Sequence, residues 1–118
     1  MELGEIRKLA ADCAARLEAI VTVVVDSKGE LLIQEGDPRS LPHAGLWNKF
    51  FGSKEAISSL RKQLQKSLLP QTFSQGELIL GLTFRHNLLF GFFFRNNGDF
   101  FVHVAELEEC DRLVAEAI

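Results

Sequence analysis

The sequence has no tyrosine, a single tryptophan and a single methionine, three prolines and two cysteines in 118 residues. Without tyrosine, its ten phenylalanines and Trp47 carry almost no polar handles, so they pack together or meet apolar partners. Cys13 and Cys110 are far apart and form neither a CxxC pair nor a Cys/His cluster. A reduced, buried pair in an intracellular protein is expected, with a structural disulfide as the alternative. No apolar run approaches the ~20 residues of a membrane helix, and the longest, Leu88–Phe94, is strand-sized. The start, Met1-Glu2-Leu3-Gly4-Glu5, is acidic and unlike a secretory leader, so a cytoplasmic location is expected. The formal net charge of −3 argues against a dedicated nucleic-acid binder, and the 47% hydrophobic content argues against intrinsic disorder.

Catalytic signatures are missing as well. The chain contains no GxSxG, no phosphate-binding Walker loop and no GxGxxG. His43, His86 and His103 are not at metal-ligand spacing, and they read as solvated or packed histidines. Arg85 and Arg95 fall at predicted strand ends, where a guanidinium reaches water, and this reading is preferred to an arginine finger. No catalytic, cofactor-binding or metal-binding residue is assigned, and no enzymatic activity is expected.

What remains is a patterned chain, long enough for one domain spanning 1–118. Area scaling gives a folded surface near ~6,400 Å² and burial of about two-thirds of the unfolded surface. Leu3, Ile6, Leu9, Cys13, Leu17 and Ile20 step by three and four, which predicts an amphipathic helix. The β-branched run Ile20–Val25, the turn Asp26-Ser27-Lys28-Gly29 and the segment Glu30–Gln34 predict a β-hairpin. Leu46, Trp47, Phe50, Phe51, Ile57, Leu60 and Leu64 keep helical spacing between His43 and Ser67. Gly52-Ser53 interrupts that spacing, Ser53 being able to cap a new helix, so one kinked helix or two is left open. Pro70 breaks the chain, and Gln71–Gly76 reads as a loop.

Three further strands are predicted at Glu77–Arg85, Leu88–Arg95 and Phe100–Val104, joined at His86-Asn87 and at Asn97-Gly98. With two-residue turns, Leu82 falls opposite Gly91 and Gly81 opposite Phe92, large side chains over cross-strand glycines. One face then carries Leu78, Leu80, Leu82, Phe84, Leu89 and Phe93, together with Phe100, Val102 and Val104. The other carries Ile79, Thr83, Leu88, Phe90, Phe92 and Phe94, with Phe101 and His103. Both faces are apolar, so both need cover. A last helix over Leu107–Ala117 is expected to open on the acidic group Glu106, Glu108, Glu109 and Asp111. Three helices leave one face thinly covered, and such patches mark partner sites. The fold class is α+β: a five-stranded antiparallel sheet with helices on both faces, in the order α-β-β-α-β-β-β-α.

That order, with the stretch Val23–Leu32 similar to a "VVD-x-x-G-x-x-[IL]" hairpin, resembles the roadblock/dynein-light-chain family. Leu69–Gly76 is similar to the "FPxxFxxG" loop of the family's bacterial MglB-like members, and the likeness covers nearly the whole chain. The resemblance implies a non-enzymatic homo- or heterodimer, a homodimer being expected here, joined through the middle helices and the third strand into one continuous sheet. It further implies a small Ras-like GTPase as partner, whose GTP hydrolysis MglB-like members stimulate by reshaping its catalytic loops, in bacterial polarity or motility signalling. Carried over by position, the interface comprises Leu46, Trp47, Phe50, Phe51 and Ile57, with Ile79, Gly81 and Thr83 on the third strand. At least one of Trp47, Phe50 and Phe51 is expected at a subunit boundary, since the three span more than one helical face. Two alternatives stand beside this reading: a pure dimerisation scaffold, and a sensor of an apolar small ligand lined by Leu88–Phe94.

Overall fold

The computed structural model describes residues 2–96 and 98–117. Helix α1, Leu3–Leu17, buries Ile6, Ala10, Cys13 and Leu17 on one stripe. It stops short of Ile20 because Glu18 takes a left-handed φ of 53° and turns the chain into strand β1, Val21–Val25, every residue of which is buried. The Asp26 carboxylate accepts from the backbone N–H of Lys28 and of Glu30 at 2.8 and 2.9 Å, and Gly29 takes a φ of +82°. This turn leads into strand β2, Leu31–Glu35.

After a single 3₁₀ turn at Pro38–Ser40, the middle region forms two helices, α2 over Gly45–Phe51 and α3 over Lys54–Gln65. Ser53 separates them by capping the second, its hydroxyl accepting from Ala56 N–H at 3.1 Å. Strands β3, Gln71–Gln75, β4, Leu78–Arg85, and β5, Leu88–Arg95, follow, and helix α4, Phe100–Glu116, closes the chain. The sheet is antiparallel throughout, in the order β2-β1-β5-β4-β3. Leu82 lies opposite Gly91 and Gly81 opposite Phe92, as the turn lengths require. His86 and Asn87 hold φ of 56° and 61°, the doubly left-handed geometry of a two-residue hairpin turn.

The two sheet faces build two cores. Val21, Val23, Val25, Leu78, Leu80, Leu82, Leu89 and Phe93 pack under α2 and α3, while Val24, Ile33, Ile79, Phe90, Phe92 and Phe94 pack under α1 and α4. The total accessible surface, 6487 Å², matches the value of about 6,400 Å² expected for a compact chain of this mass.

Four expectations are corrected. Phe100–Val104 is the first part of α4 and not a strand. Its β-favouring residues are overridden because β5 is already paired on both sides, with β4 and with β1, so no edge is open for it. Asp99 also starts a helix there, its carboxylate accepting from Phe101 N–H at 2.8 Å. Asn97, half of the predicted Asn97-Gly98 turn, lies outside the described residues. Second, Gln71–Gln75, read as a loop, is the edge strand that keeps the sheet at five. Third, the acidic group of the last helix sits in its middle and not at its start. Fourth, with two helices on each face, neither face is left thinly covered.

Candidate partner interface

The eight residues assigned to an interface are found mostly inside this chain. Leu46, Phe50, Phe51 and Ile57 are 5–6% exposed and belong to the core beneath α2 and α3. Trp47 is half-buried, its ring 5.4 Å from Phe51 and 5.7 Å from Phe93. The three aromatics can all turn inward because α2 is only seven residues long and lies across a sheet lowered at Gly91, which Phe51 fills. Ile79, Gly81 and Thr83 lie on β4, between β5 and β3, beneath the α1/α4 layer. Leu107 of α4 sits directly over Gly81. The structure therefore places seven of these residues in two cores and leaves Trp47 partly exposed.

The sheet has two edge strands, β2 and β3, and β3 is the one without protection. Its sequence, Gln71-Thr72-Phe73-Ser74-Gln75, has no charge, no proline and no bulge. Those are the devices by which sheet edges are normally protected from pairing with another chain. The opposite edge, β2, by contrast carries Glu35 and faces an irregular register at Val24/Val25. A two-residue turn at Gly76-Glu77 makes Gln75 and Leu78 the closing hydrogen-bonded pair. By alternation, Phe73 bonds inward to β4, whereas the backbone N–H and C=O of Thr72 and Ser74 point outward.

Helix α2 fixes this strand in place. Phe73 stacks 4.6 Å from Phe50, the His43 imidazole Nε2 contacts the Gln75 carbonyl at 2.7 Å, and Gly45 lies tight against the Gln75 side chain. Above α2 and α3 the exposed charges are Lys49, Lys54, Lys62 and Lys66 against one acid, Glu55. From sequence the segment reads as a loop, since one apolar residue in five gives no alternation. The signal that could have found β3 is that Phe73 is flanked by uncharged β-tolerant residues.

The arginines are committed elsewhere. Arg85 makes a forked pair with Asp111 of α4, Nε to Oδ1 at 3.0 Å and Nη2 to Oδ2 at 2.9 Å, and the Thr83 hydroxyl donates to the same carboxylate. Burial pushes the Asp111 carboxyl up, but the Arg85 and Thr83 hydrogen bonds outweigh it and hold the group below the usual carboxylate range. Arg95 pairs with Glu77 at 3.4 Å. His86, at the β4–β5 turn, reaches the carbonyls of Val114 and Ala115 at 3.2 and 3.1 Å. His103 packs on Phe94 with ring centroids 5.2 Å apart. Among the described residues no cluster of three or more His, Cys, Asp or Glu is poised to hold a metal ion. Leu88–Phe94 are buried with their side chains filling the two cores. Surface clefts of about 270, 220 and 210 Å³ lie elsewhere, along α1 and at its ends.

No family model matches the chain, and no curated protein matches it. Solved structures do. Myxococcus xanthus MglB superposes with a TM-score of 0.66 at 16% identity, covering 98% of this chain and 88% of that one. MglC from Myxococcus xanthus gives 0.65 at 10% identity, covering 97% and 99%. A Roadblock/LC7 domain from Streptomyces avermitilis gives 0.54 at 15% identity, covering 91% and 92%. At these identities the likeness is one of architecture, and it agrees with the element order and register described above: this chain has the roadblock fold, similar to that of MglB and MglC.

Proposed function

We propose that the protein is a homodimeric regulator that binds a small Ras-like GTPase and stimulates its GTP hydrolysis in bacterial polarity or motility signalling. The observation that carries this reading is the unprotected β3 edge, held by α2 on a roadblock fold like that of MglB. Two copies related by a two-fold axis join their β3 strands antiparallel, extending the sheet across the pair and setting their α2 helices side by side. The paired α2/α3 surface, with exposed Lys49, Lys62 and Lys66, suits an acidic partner surface. Arg85 and Arg95 are held by Asp111 and Glu77, so stimulation would act on the GTPase's own catalytic loops and not through an inserted guanidinium.

The test combines solution mass with turnover. The purified chain is mixed with a small Ras-like GTPase from the same genome, loaded with GDP or with a non-hydrolysable GTP analogue. A dimer that associates preferentially with the analogue-loaded form and accelerates GTP hydrolysis supports the reading. Association indifferent to the nucleotide, without faster hydrolysis, replaces it with a tethering scaffold. A dimer without GTPase association restricts it to assembly.

A further inference from the structure

Helices α1 and α4 lie side by side on one face of the sheet and run antiparallel. Cys110 meets Cys13, while Glu106, one turn back along α4, meets Arg16, one turn on along α1. The two cysteines are the only ones in the sequence, and both are fully buried at this seam. They do more there than fill space. The Cys110 thiol faces the Cys13 carbonyl, with sulfur and oxygen 3.8 Å apart, and also donates to the Cys13 sulfur. That donation, helped by the nearby Arg16 guanidinium, holds the Cys13 thiol below its ordinary value although burial opposes it. The same hydrogen bond, together with burial, pushes the Cys110 thiol up. One sulfur is thus the readier to ionise, and the second stands in contact with it.

Their place in the chain gives this contact its consequence. Cys13 and Cys110 are 97 positions apart, in the first and last helices. Between those helices the described residues make apolar packing and one ion pair, Arg16 with Glu106 at 3.6 Å, whose two side chains are well exposed. Such a surface pair contributes little. A covalent bond at the seam would close a loop of nearly the whole chain, the case in which a cross-link restricts the unfolded ensemble most. Side chains that already face each other, sulfur against sulfur, meet the first geometric demand of that bond.

We propose that Cys13 and Cys110 form a reversible dithiol–disulfide couple that staples α1 to α4. The oxidant is a small-molecule disulfide, for which oxidised glutathione serves as the probe. The Cys13 thiolate attacks one of its sulfurs, forming a mixed disulfide and releasing one glutathione thiolate. Cys110 then gives up its proton, its sulfur attacks the Cys13 sulfur, and the second glutathione thiolate leaves. The two protons shed by the protein thiols are taken up by the two released thiolates, so one disulfide is reduced as one is formed. Because both sulfurs are buried, exchange waits on α1 lifting from α4. It is therefore slow in the folded chain, and its extent is read at equilibrium. The reduced seam opens and recloses; the oxidised seam stays shut. This couple is independent of the β3 pairing and of any GTPase.

The test equilibrates the full chain in glutathione redox buffers, once under native conditions and once in urea, approaching each from the reduced and from the oxidised side. Mass after acid quenching gives the oxidised fraction, and non-reducing electrophoresis separates a bond within the chain from one between chains. By the thermodynamic cycle, the ratio of the two exchange constants equals the factor by which the bond raises the folding constant. The expected result is a bond within the chain and an exchange constant about ten-fold or more larger in the folded protein than in urea. The oxidised chain should then show a higher urea midpoint, restored by reductant, and slower amide exchange in α1. A ratio below about ten-fold, or a lowered urea midpoint on oxidation, overturns the proposal, because the sulfurs then touch without a bond fitting between them. Disulfides between chains in place of the internal one overturn it as well. Cys110→Ser cannot form the staple, so its urea midpoint should not move with the redox buffer. A shift that persists in this variant would arise elsewhere and would likewise overturn the proposal.

Discussion

Asp111 shows how much a single side chain organises here. It is 8% exposed, accepts from Arg85 and Thr83, and ties the middle of α4 to the end of β4. Replacing it by Ala leaves Arg85 and the buried Thr83 hydroxyl without their partner. The expected loss is about 2 kcal/mol, less than for a fully buried pair because Arg85 still reaches water, and urea unfolding at neutral pH measures it. The folded carboxyl titrates below its unfolded value, so the stabilisation is complete above that unfolded value, near pH ~4, and is lost as the pH falls through the folded one. Asp111→Asn should accordingly flatten the fall of stability that the parent protein shows as the pH drops below about 4. Gly91 makes the complementary case. A Cβ there would come within 3.0 Å of both Phe51 Cζ and Val23 Cγ2, in a core with no slack. Gly91→Ala should cost about 1–3 kcal/mol by overpacking, seen as a lowered urea midpoint with an unchanged slope. These pairings were only half legible in the sequence. Turn chemistry placed Gly91 against Leu82, but nothing local announced that Arg85, read as a solvated strand end, meets an acid 26 residues away.

At the scale of elements, α3 depends on its cap. Ser53→Ala removes the acceptor for Ala56 N–H and should destabilise by about 1 kcal/mol, again by urea unfolding. The contact of α1 with α4 predicts a chemical behaviour. Cys13 and Cys110 are both fully buried, with the Cys110 thiol 3.8 Å from the Cys13 carbonyl. A water-soluble disulfide reagent should modify neither thiol in the folded protein and both in urea; rapid modification under native conditions would contradict this packing. The elements that sequence reading recovered are those with a repeating physical signal. Helix α1, the β1–β2 hairpin and the β4–β5 hairpin each carry periodicity joined to a turn motif. The two elements it exchanged, β3 and the start of α4, lack that agreement. Gln71–Gln75 is a strand because β4 offers it an edge and Phe50 offers Phe73 a neighbour. Phe100–Val104 is helical because the place beside β5 is taken by β1 and Asp99 caps the turn. Competition for a sheet edge is a tertiary fact, and composition does not record it. The burial of the residues assigned to an interface was illegible for the same reason. Greasy positions on α2 and β4 were legible as apolar, but whether the chain or a partner covers them depends on how many helices lie on each face.

For the whole molecule, the sheet divides two differently charged layers. The outer surface of α2 and α3 exposes Lys49, Lys54, Lys62 and Lys66 with Glu55, while the other layer is mixed: α1 exposes Arg7, Lys8 and Arg16 with Glu5 and Asp12, and α4 exposes Glu108 and Glu116 with Arg112. If the α2/α3 layer meets an acidic partner, Lys62→Glu together with Lys66→Glu should weaken association several-fold at low salt. The difference should shrink as ionic strength rises and the screening length falls below about 10 Å; titrations at two salt concentrations would show it. The proposed dimer requires that the edge of β3 be closed by a second copy. Amide hydrogen exchange at Thr72 and Ser74, followed as the protein is concentrated, reads that edge directly. Protection at both amides that rises with concentration toward the level of Phe73, whose N–H already bonds to β4, is the predicted result. Fast exchange at Thr72 and Ser74 at every concentration, with Phe73 protected throughout, would contradict it.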